Sequence, residues 1–283
     1  MILFKRASEL HRYIEEQHKN ELQAGFVPTM GALHAGHLSL IERSISENDI
    51  TICSIFVNPA QFNDPDDFKK YPVTTEKDID ALERSGCGIL FLPPAEEIYP
   101  DETYKTETYN IGHLETILEG KFRPGHFQGV CMVVSRLLKI VSPDNLYLGQ
   151  KDYQQCMVLQ KLIELMGAEK RIKLKICPTL REPGGLAMSS RNMRLDQKER
   201  ENAIAIYDSL MYIKNHISQK TIRDLKAETS EILTNKKFHI DYVEIADAIS
   251  LEPVDTWDEK RKIVALIAAF MGKVRLIDNM MIQ

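Results

Sequence analysis

The sequence predicts an α/β fold, with a Rossmann-like parallel sheet in an N-terminal domain and a smaller α+β C-terminal domain. Three observations carry this. Up to residue 177, short apolar or β-branched runs alternate with stretches of helical spacing, as βαβ units require. Beyond it, a Pro-, Gly- and Ser-containing loop leads to two helices and then a run of strands. The length, 283 residues, suits one large or two modest domains with ample core. The boundary is therefore placed between a domain at 1–177 and one at 178–283.

Each element has its own signal. Ser8 to Asn20 is amphipathic and helical, and Gly25 to Thr29 is a short apolar strand. Gly36 to Asn48 has helical spacing, with Leu38, Ile41 and Ile45 on one face. Asp49 to Val57 is rich in β-branched residues and is expected as a buried strand. Thr75 to Ser85 is helical and stops at Gly86; Gly88 to Leu92 is a strand closed by two prolines. Phe127 to Val141 is a long apolar helix. Asn145 to Leu148 is a strand, Asp152 to Met166 a helix ended by Gly167, and Arg171 to Cys177 a strand. Pro178 to Asn192 is a loop. Helices are expected over Asp196–Ser218 and Thr221–Thr234, and strands over Asp241–Ile245, Ile263–Phe270 and Val274–Ile277.

Composition excludes several classes. Charged residues are 27% and apolar residues 43%, ordinary for a globular protein and unlike a disordered chain. The net charge of −5 speaks against a nucleic-acid wrapper, whose surface must be positive. The longest apolar run, Ile263 to Met271, is about half of what a bilayer needs, so no membrane segment is expected. The opening residues have no long apolar stretch of signal-peptide type. Five cysteines, none in a CxxC pair and most in apolar surroundings, fit buried thiols in a reducing, cytoplasmic setting.

The strongest motif runs through Thr29, Met30, Gly31, Ala32, Leu33, His34, Ala35, Gly36 and His37. A strand leads in and a helix leads out, which is where open α/β sheets bind ligands. The helix start offers N–H donors and a positive dipole end to phosphate. His34 and His37 are three apart, which puts both rings on one side of the first turn. Two imidazoles facing one spot can bind phosphate oxygens and stabilise charge as a P–O bond breaks. A zinc pair is one other reading, but zinc wants further ligands and no Cys is near; two surface histidines without function are the second.

A second strand-to-helix junction carries Gly149, Gln150, Lys151, Asp152, Tyr153, Gln154 and Gln155. Lys151 can reach phosphate as a point charge, whereas Asp152 could simply cap the helix. In the loop after the last strand of the first domain, Met188, Ser189, Ser190 and Arg191 offer two hydroxyls and a guanidinium for a triphosphate; a polar linker is the alternative. Asn58 and Gln61 after the second strand, and Arg123 to Val130 before the long helix, are either substrate contacts or turns with satisfied amides.

Together these residues resemble the pantothenate synthetase (pantoate–β-alanine ligase) family. PTMGALHAGH at 28–37, FVNPAQF at 56–62, RPGHFQGV at 123–130, GQKDYQQ at 149–155 and GLAMSSRN at 185–192 match it in order and spacing, and the likeness ends with Arg275 to Asn279. Gln150 stands where many members have Glu, and Leu180 where many have Val. The resemblance implies ATP-dependent condensation of (R)-pantoate with β-alanine through a pantoyl-adenylate, releasing AMP and pyrophosphate. It further implies Mg²⁺ and a homodimer formed by N-terminal domains. The C-terminal domain and the loop at Ser189 would close as a lid over a water-sensitive intermediate.

Carried over residue by residue, Met30 to His37 would bind ATP, with His37 as proton donor and His34 beside it at the phosphates. Gly149, Gln150, Lys151 and Asp152 would hold ribose and phosphate, Leu180 would touch adenine, and Met188 to Arg191 would cover the triphosphate. Gln61 and Gln155 would bind pantoate, while Asn58, Tyr71, Arg123, His126, Val133 and Val134 would shape the β-alanine end. Asp78 would be a Mg²⁺ contact or else a plain helix-surface carboxylate. A different nucleotidyltransferase would leave AMP on its product and need no amine. A tRNA-binding relative would need a basic face, and an inactive sensor would have lost His34, His37 or Lys151.

Overall fold

The structure, a computed structural model, describes residues 1–63, 65–100 and 107–282. The chain forms two compact units: Met1–Gly149 with Gln155–Cys177, and Gln150–Gln154 with Pro178–Gln283.

The first unit runs β1 (Ile2–Phe4), α1 (Ala7–Lys19), β2 (Ala24–Thr29), α2 (Ala35–Glu47), β3 (Ile50–Ile55), α3 (Pro65–Lys69), α4 (Thr75–Arg84), β4 (Ile89–Phe91), α5 (Ala95–Ile98), α6 (Leu118–Phe122), α7 (His126–Val141), β5 (Asn145–Gly149), α8 (Tyr153–Leu165) and β6 (Lys173–Cys177). Its six strands form a sheet in the order β1-β4-β3-β2-β5-β6, with every pairing parallel. The chain moves outward from β2 through β3 to β4, then returns to the other side of β2 as β5. That reversal puts the switch point between β2 and β5. The expected Rossmann-like sheet is therefore present. The edge strand β1 was not anticipated: three residues, with Ile2 and Leu3 half exposed, are too few to show a period.

Helix α2 buries Leu40, Ile41 and Ser44, and Ile45, expected to face inward, is 38% exposed. The small residues explain the rotation. A Cβ on Gly25 of β2 would lie 2.2 Å from Ser44 Oγ, so the helix approaches the strand where neither side has bulk. The Ser44 hydroxyl is satisfied by Thr51 Oγ1 at 2.8 Å. At the far end of α2, Glu47 accepts from Arg43 Nε at 2.8 Å and from the buried Tyr147 hydroxyl at 2.9 Å. These bonds, Arg43 first, hold the Glu47 carboxyl down at about 2.

The second unit contains α9 (Gln197–Ala203), α10 (Ala205–His216), α11 (Ile222–Asn235), β7 (Phe238–Asp247), β8 (Ile263–Met271) and β9 (Val274–Ile282). The strands make an antiparallel sheet in the order β7-β8-β9. Ile206, Leu210 and Ile213 of α10 pack with Leu225 and Leu233 of α11 against alternate residues of β8, Ile263, Ala265, Ile267 and Ala269. The helix expected over 196–218 is interrupted at Ile204, whose φ −58 and ψ −28 remain helical. No helix among the described residues is long and apolar enough to cross a membrane.

Candidate active site

The candidate site is built at the carboxyl end of β2, beside the switch point. Thr29 closes that strand, its hydroxyl donating to Ser54 O at 2.7 Å and accepting from Gly31 N at 3.2 Å. Gly31 and Ala32 then both take left-handed backbone, at φ 80 and φ 49. Alanine adopts this region only at a cost. The compensation comes from Asp78 on α4, whose two oxygens accept from Ala32 N at 2.9 Å and Leu33 N at 2.8 Å. Thr74 Oγ1 adds a third bond at 3.1 Å.

Asp78 is 2% exposed, so the expected helix-surface carboxylate is a buried anchor. The same bonds bear on the metal expectation. Both oxygens are already committed to amide donors, and no cluster of three or more metal-ligating side chains occurs among the described residues. These residues do not fit a protein-held cation.

After the left-handed pair, His34 caps α2. Its Nδ1 accepts from Gly36 N at 3.1 Å, while His37 Nδ1 receives the His34 N–H at 3.4 Å, a reciprocal capping box. The ring centroids lie 4.1 Å apart with a 31° interplanar angle. The sequence spacing thus delivers two rings on one side. With Nδ1 accepting, each neutral ring carries its proton on Nε2.

The expected substrate residues after β3 are tied to one another. Asn58 is 1% exposed; its Nδ2 donates to Gln61 Oε1 at 3.2 Å and to Gly129 O on α7 at 3.0 Å. Gln61 Nε2 lies 2.9 Å from Met30 Sδ, and Gln61 O is 2.7 Å from His126 Nδ1. Arg123 and His126 meet at 3.1 Å. A Cβ on Gly129 would lie 2.1 Å from Ala60 O, so glycine alone lets α7 approach this turn. Tyr71 packs edge-on to Phe62 at 5.7 Å, and Val133 and Val134 are buried on α7. Gln155 is half-buried near the start of α8. A cleft of about 150 Å³ borders the signature loop on its Asp78 side, between Met30, Val57, Val73 and Leu92; of the expected residues, Met30, Gly31 and Ala32 of the ATP set line it and none of the pantoate set does.

Of the remaining expected ATP residues, Gly149 ends β5 in the first unit and the others belong to the second. Gln150–Asp152 is a 3₁₀ turn ahead of α8, and Lys151 Nζ sits 3.3 Å from Asp152 Oδ2. Leu180 is 40% exposed. Ser189 caps the 3₁₀ stretch Ser190–Arg194 by accepting from Arg191 N at 3.3 Å. Asn192, not singled out from sequence, ties this loop to Glu182 Oε1 at 2.8 Å and Ala187 O at 3.0 Å. Asp278 and Asn279, buried on β9, were marked in the sequence only by their place at the end of the resemblance.

A six-stranded parallel sheet with a histidine-capped helix at its switch point defines a Rossmann-like α/β protein with a ligand crevice beside an HxGH helix start. A family model described as pantoate-beta-alanine ligase matches residues 2–281. Pantothenate synthetase from Cytophaga hutchinsonii is 43% identical, covering 100% of this chain and 99% of that protein. The crystal structure of pantothenate synthetase from Thermus thermophilus superposes with a TM-score of 0.90 at 36% identity, covering 99% of each chain. The pantoate-beta-alanine ligase of Francisella tularensis, solved with beta-gamma ATP and beta-alanine, gives a TM-score of 0.81 at 37% identity over 99% of this chain and 97% of that one. The chain belongs to the pantoate–β-alanine ligase family.

Proposed function

We propose that this chain joins (R)-pantoate and β-alanine to give pantothenate, consuming ATP and releasing AMP and pyrophosphate. The observation that carries the reading is the histidine pair, held by main-chain donors at the β2–α2 junction of a chain in this family. In the first step a pantoate carboxylate oxygen attacks the α-phosphorus of ATP. The bond to the β-phosphate oxygen breaks, and pyrophosphate leaves with its electrons. In the second, the β-alanine nitrogen attacks the acyl carbon, the bond to AMP breaks, and the amine loses a proton as the amide forms.

His34 and His37 supply Nε2–H donors for charge building on the departing phosphates, with Lys151 and Arg191 as cations. Gln61, backed by Asn58 and Met30, and Gln155 hold pantoate. Arg123 and His126 shape the amine end with Tyr71, Val133 and Val134. Gly149, Gln150, Asp152, Leu180, Met188, Ser189 and Ser190 complete the nucleotide contacts. Mg²⁺ would enter on the triphosphate, which needs no protein cage.

A homodimer and a cytoplasmic location accompany this reading. Sedimentation of the purified chain tests the first and cell fractionation the second. Activity is tested by incubating the protein with ATP, pantoate and β-alanine and scoring pantothenate by mass. Exchange of labelled pyrophosphate into ATP with pantoate alone tests for the adenylate. Full activity without such exchange would replace the two-step route with a concerted one.

A further inference from the structure

The residues around Lys151 share an unusual partner. Asn279, on β9 and 2% exposed, spends its whole side chain on this segment. Its Nδ2 donates to Gln150 O at 2.8 Å and to Lys151 O at 2.9 Å, while its Oδ1 accepts from Gln150 Nε2 at 3.3 Å. A primary amide has two N–H groups, and both are used on two successive carbonyls. No other residue type of that size offers two donors and an acceptor in one plane. The neighbour Asp278, 4% exposed, accepts the Asn279 amide at 2.8 Å and both arms of Arg181. Arg181 in turn lies in a short hairpin closed by Met188 N to Leu180 O at 3.0 Å and Glu182 N to Leu186 O at 2.8 Å. Gln150–Gln154 accordingly belongs to the same compact unit as β9.

We propose that Asn279 is a positioning residue for the nucleotide, setting the backbone from which Lys151 reaches phosphate. The inference rests on the reading of Lys151 given above. A point charge on a flexible stem is useful only if its base is held, since misplacement by about 1 Å can cost 10²-fold. Asp278 and Arg181 extend the same support to the strip that carries Leu180 and Met188.

The test is a double-mutant cycle on the full chain, read as dissociation constants for a non-hydrolysable ATP analogue and for pantoate. Asn279→Ala should weaken the analogue about tenfold or more, on the scale of a lost pair of buried hydrogen bonds, with pantoate binding within about twofold of wild type. Asn279→Ser, which keeps one donor, should fall between the two and guards against a variant that does not fold. In a Lys151→Ala background, Asn279→Ala should add little, because coupled residues are not additive. Additive losses, or equal losses for pantoate, would reduce Asn279 to general structural support and overturn the proposal. Lys151→Ala binding the analogue like wild type would instead sink the nucleotide reading of the lysine. An impaired Lys151→Ala beside indifferent Asn279 variants would sink only the present inference.

Discussion

Asp78 and Ala32 are joined by a 2.9 Å hydrogen bond across 46 positions of sequence, the buried carboxylate accepting from an amide in left-handed backbone. The second oxygen serves Leu33 in the same way. One side chain therefore holds the loop that presents the histidines.

Replacing Asp78 tests that relationship. Asp78→Ala strands two loop amides, and hydrogen bonds to charged groups are each worth about 1.5–3 kcal/mol. The expected result is a fall in stability of that order in urea unfolding, with ATP affinity lowered. Asp78→Asn keeps one acceptor oxygen and should lose about half as much. The Mg²⁺ concentration for half-maximal activity should stay unchanged in Asp78→Asn. A large rise would restore the carboxylate to metal binding.

The cap geometry separates two jobs of His34. Asparagine is among the best helix caps, whereas alanine forfeits about 1 kcal/mol of cap. His34→Asn should therefore melt near wild type and His34→Ala below it. Both should slow adenylate formation by about 10²–10³, the usual worth of a donor aimed at developing charge. Given preformed pantoyl-adenylate, His37→Ala should still make pantothenate at a rate near wild type. A single-turnover comparison reads both steps; equal losses would assign the histidines to the whole cycle.

Glu47 predicts a pH signature. Its carboxyl lies at about 2 in the folded chain because Arg43 and the Tyr147 hydroxyl bind its ionised form. A depressed carboxyl contributes stability that is complete above its unfolded value, about 4.3, and is lost as pH falls through the folded one. The melting temperature of wild type should exceed that of Glu47→Gln at pH 6, and the gap should close between about pH 4 and pH 2. A gap that persists at pH 2 would show that shape, not charge, is responsible.

The cysteines should be silent until the chain unfolds. All five are buried, and burial pushes the Cys87 thiol up to about 11 and the Cys131 thiol up to about 12. Thiolate is the reacting form. Iodoacetamide at pH 8 should add nothing to the native protein within minutes and five groups in strong denaturant, counted by mass. Early labelling of one site would expose a local opening.

Much of this was legible because it is local. Strands such as Ile50–Ile55 and helices such as His126–Val141 announce themselves by period, and the histidine pair by its spacing after a strand. What the sequence could not show are partners chosen in space. Nothing near Asp78 says that its oxygens meet Ala32 and Leu33. Nothing near Lys151 says that an asparagine 128 positions onward holds its carbonyl. The face of α2 was misjudged for a related reason: apolarity favoured Ile45, but Gly25 and Ser44 decided how the helix could approach.

The switch point also dictates when the histidine loop gains its second flanking strand. Its flanking strands, β2 and β5, are linked near their starts by Ala24 N to Asp144 Oδ2, a contact spanning 120 positions, and through the pairs Gly25 with Asn145 and Phe26 with Leu146. A chain emerging from the ribosome has made the histidine loop long before the strand on the other side of β2 is available. A ligand that touches both strands is a ligand of the assembled sheet, and its binding energy is added to the stability of that sheet.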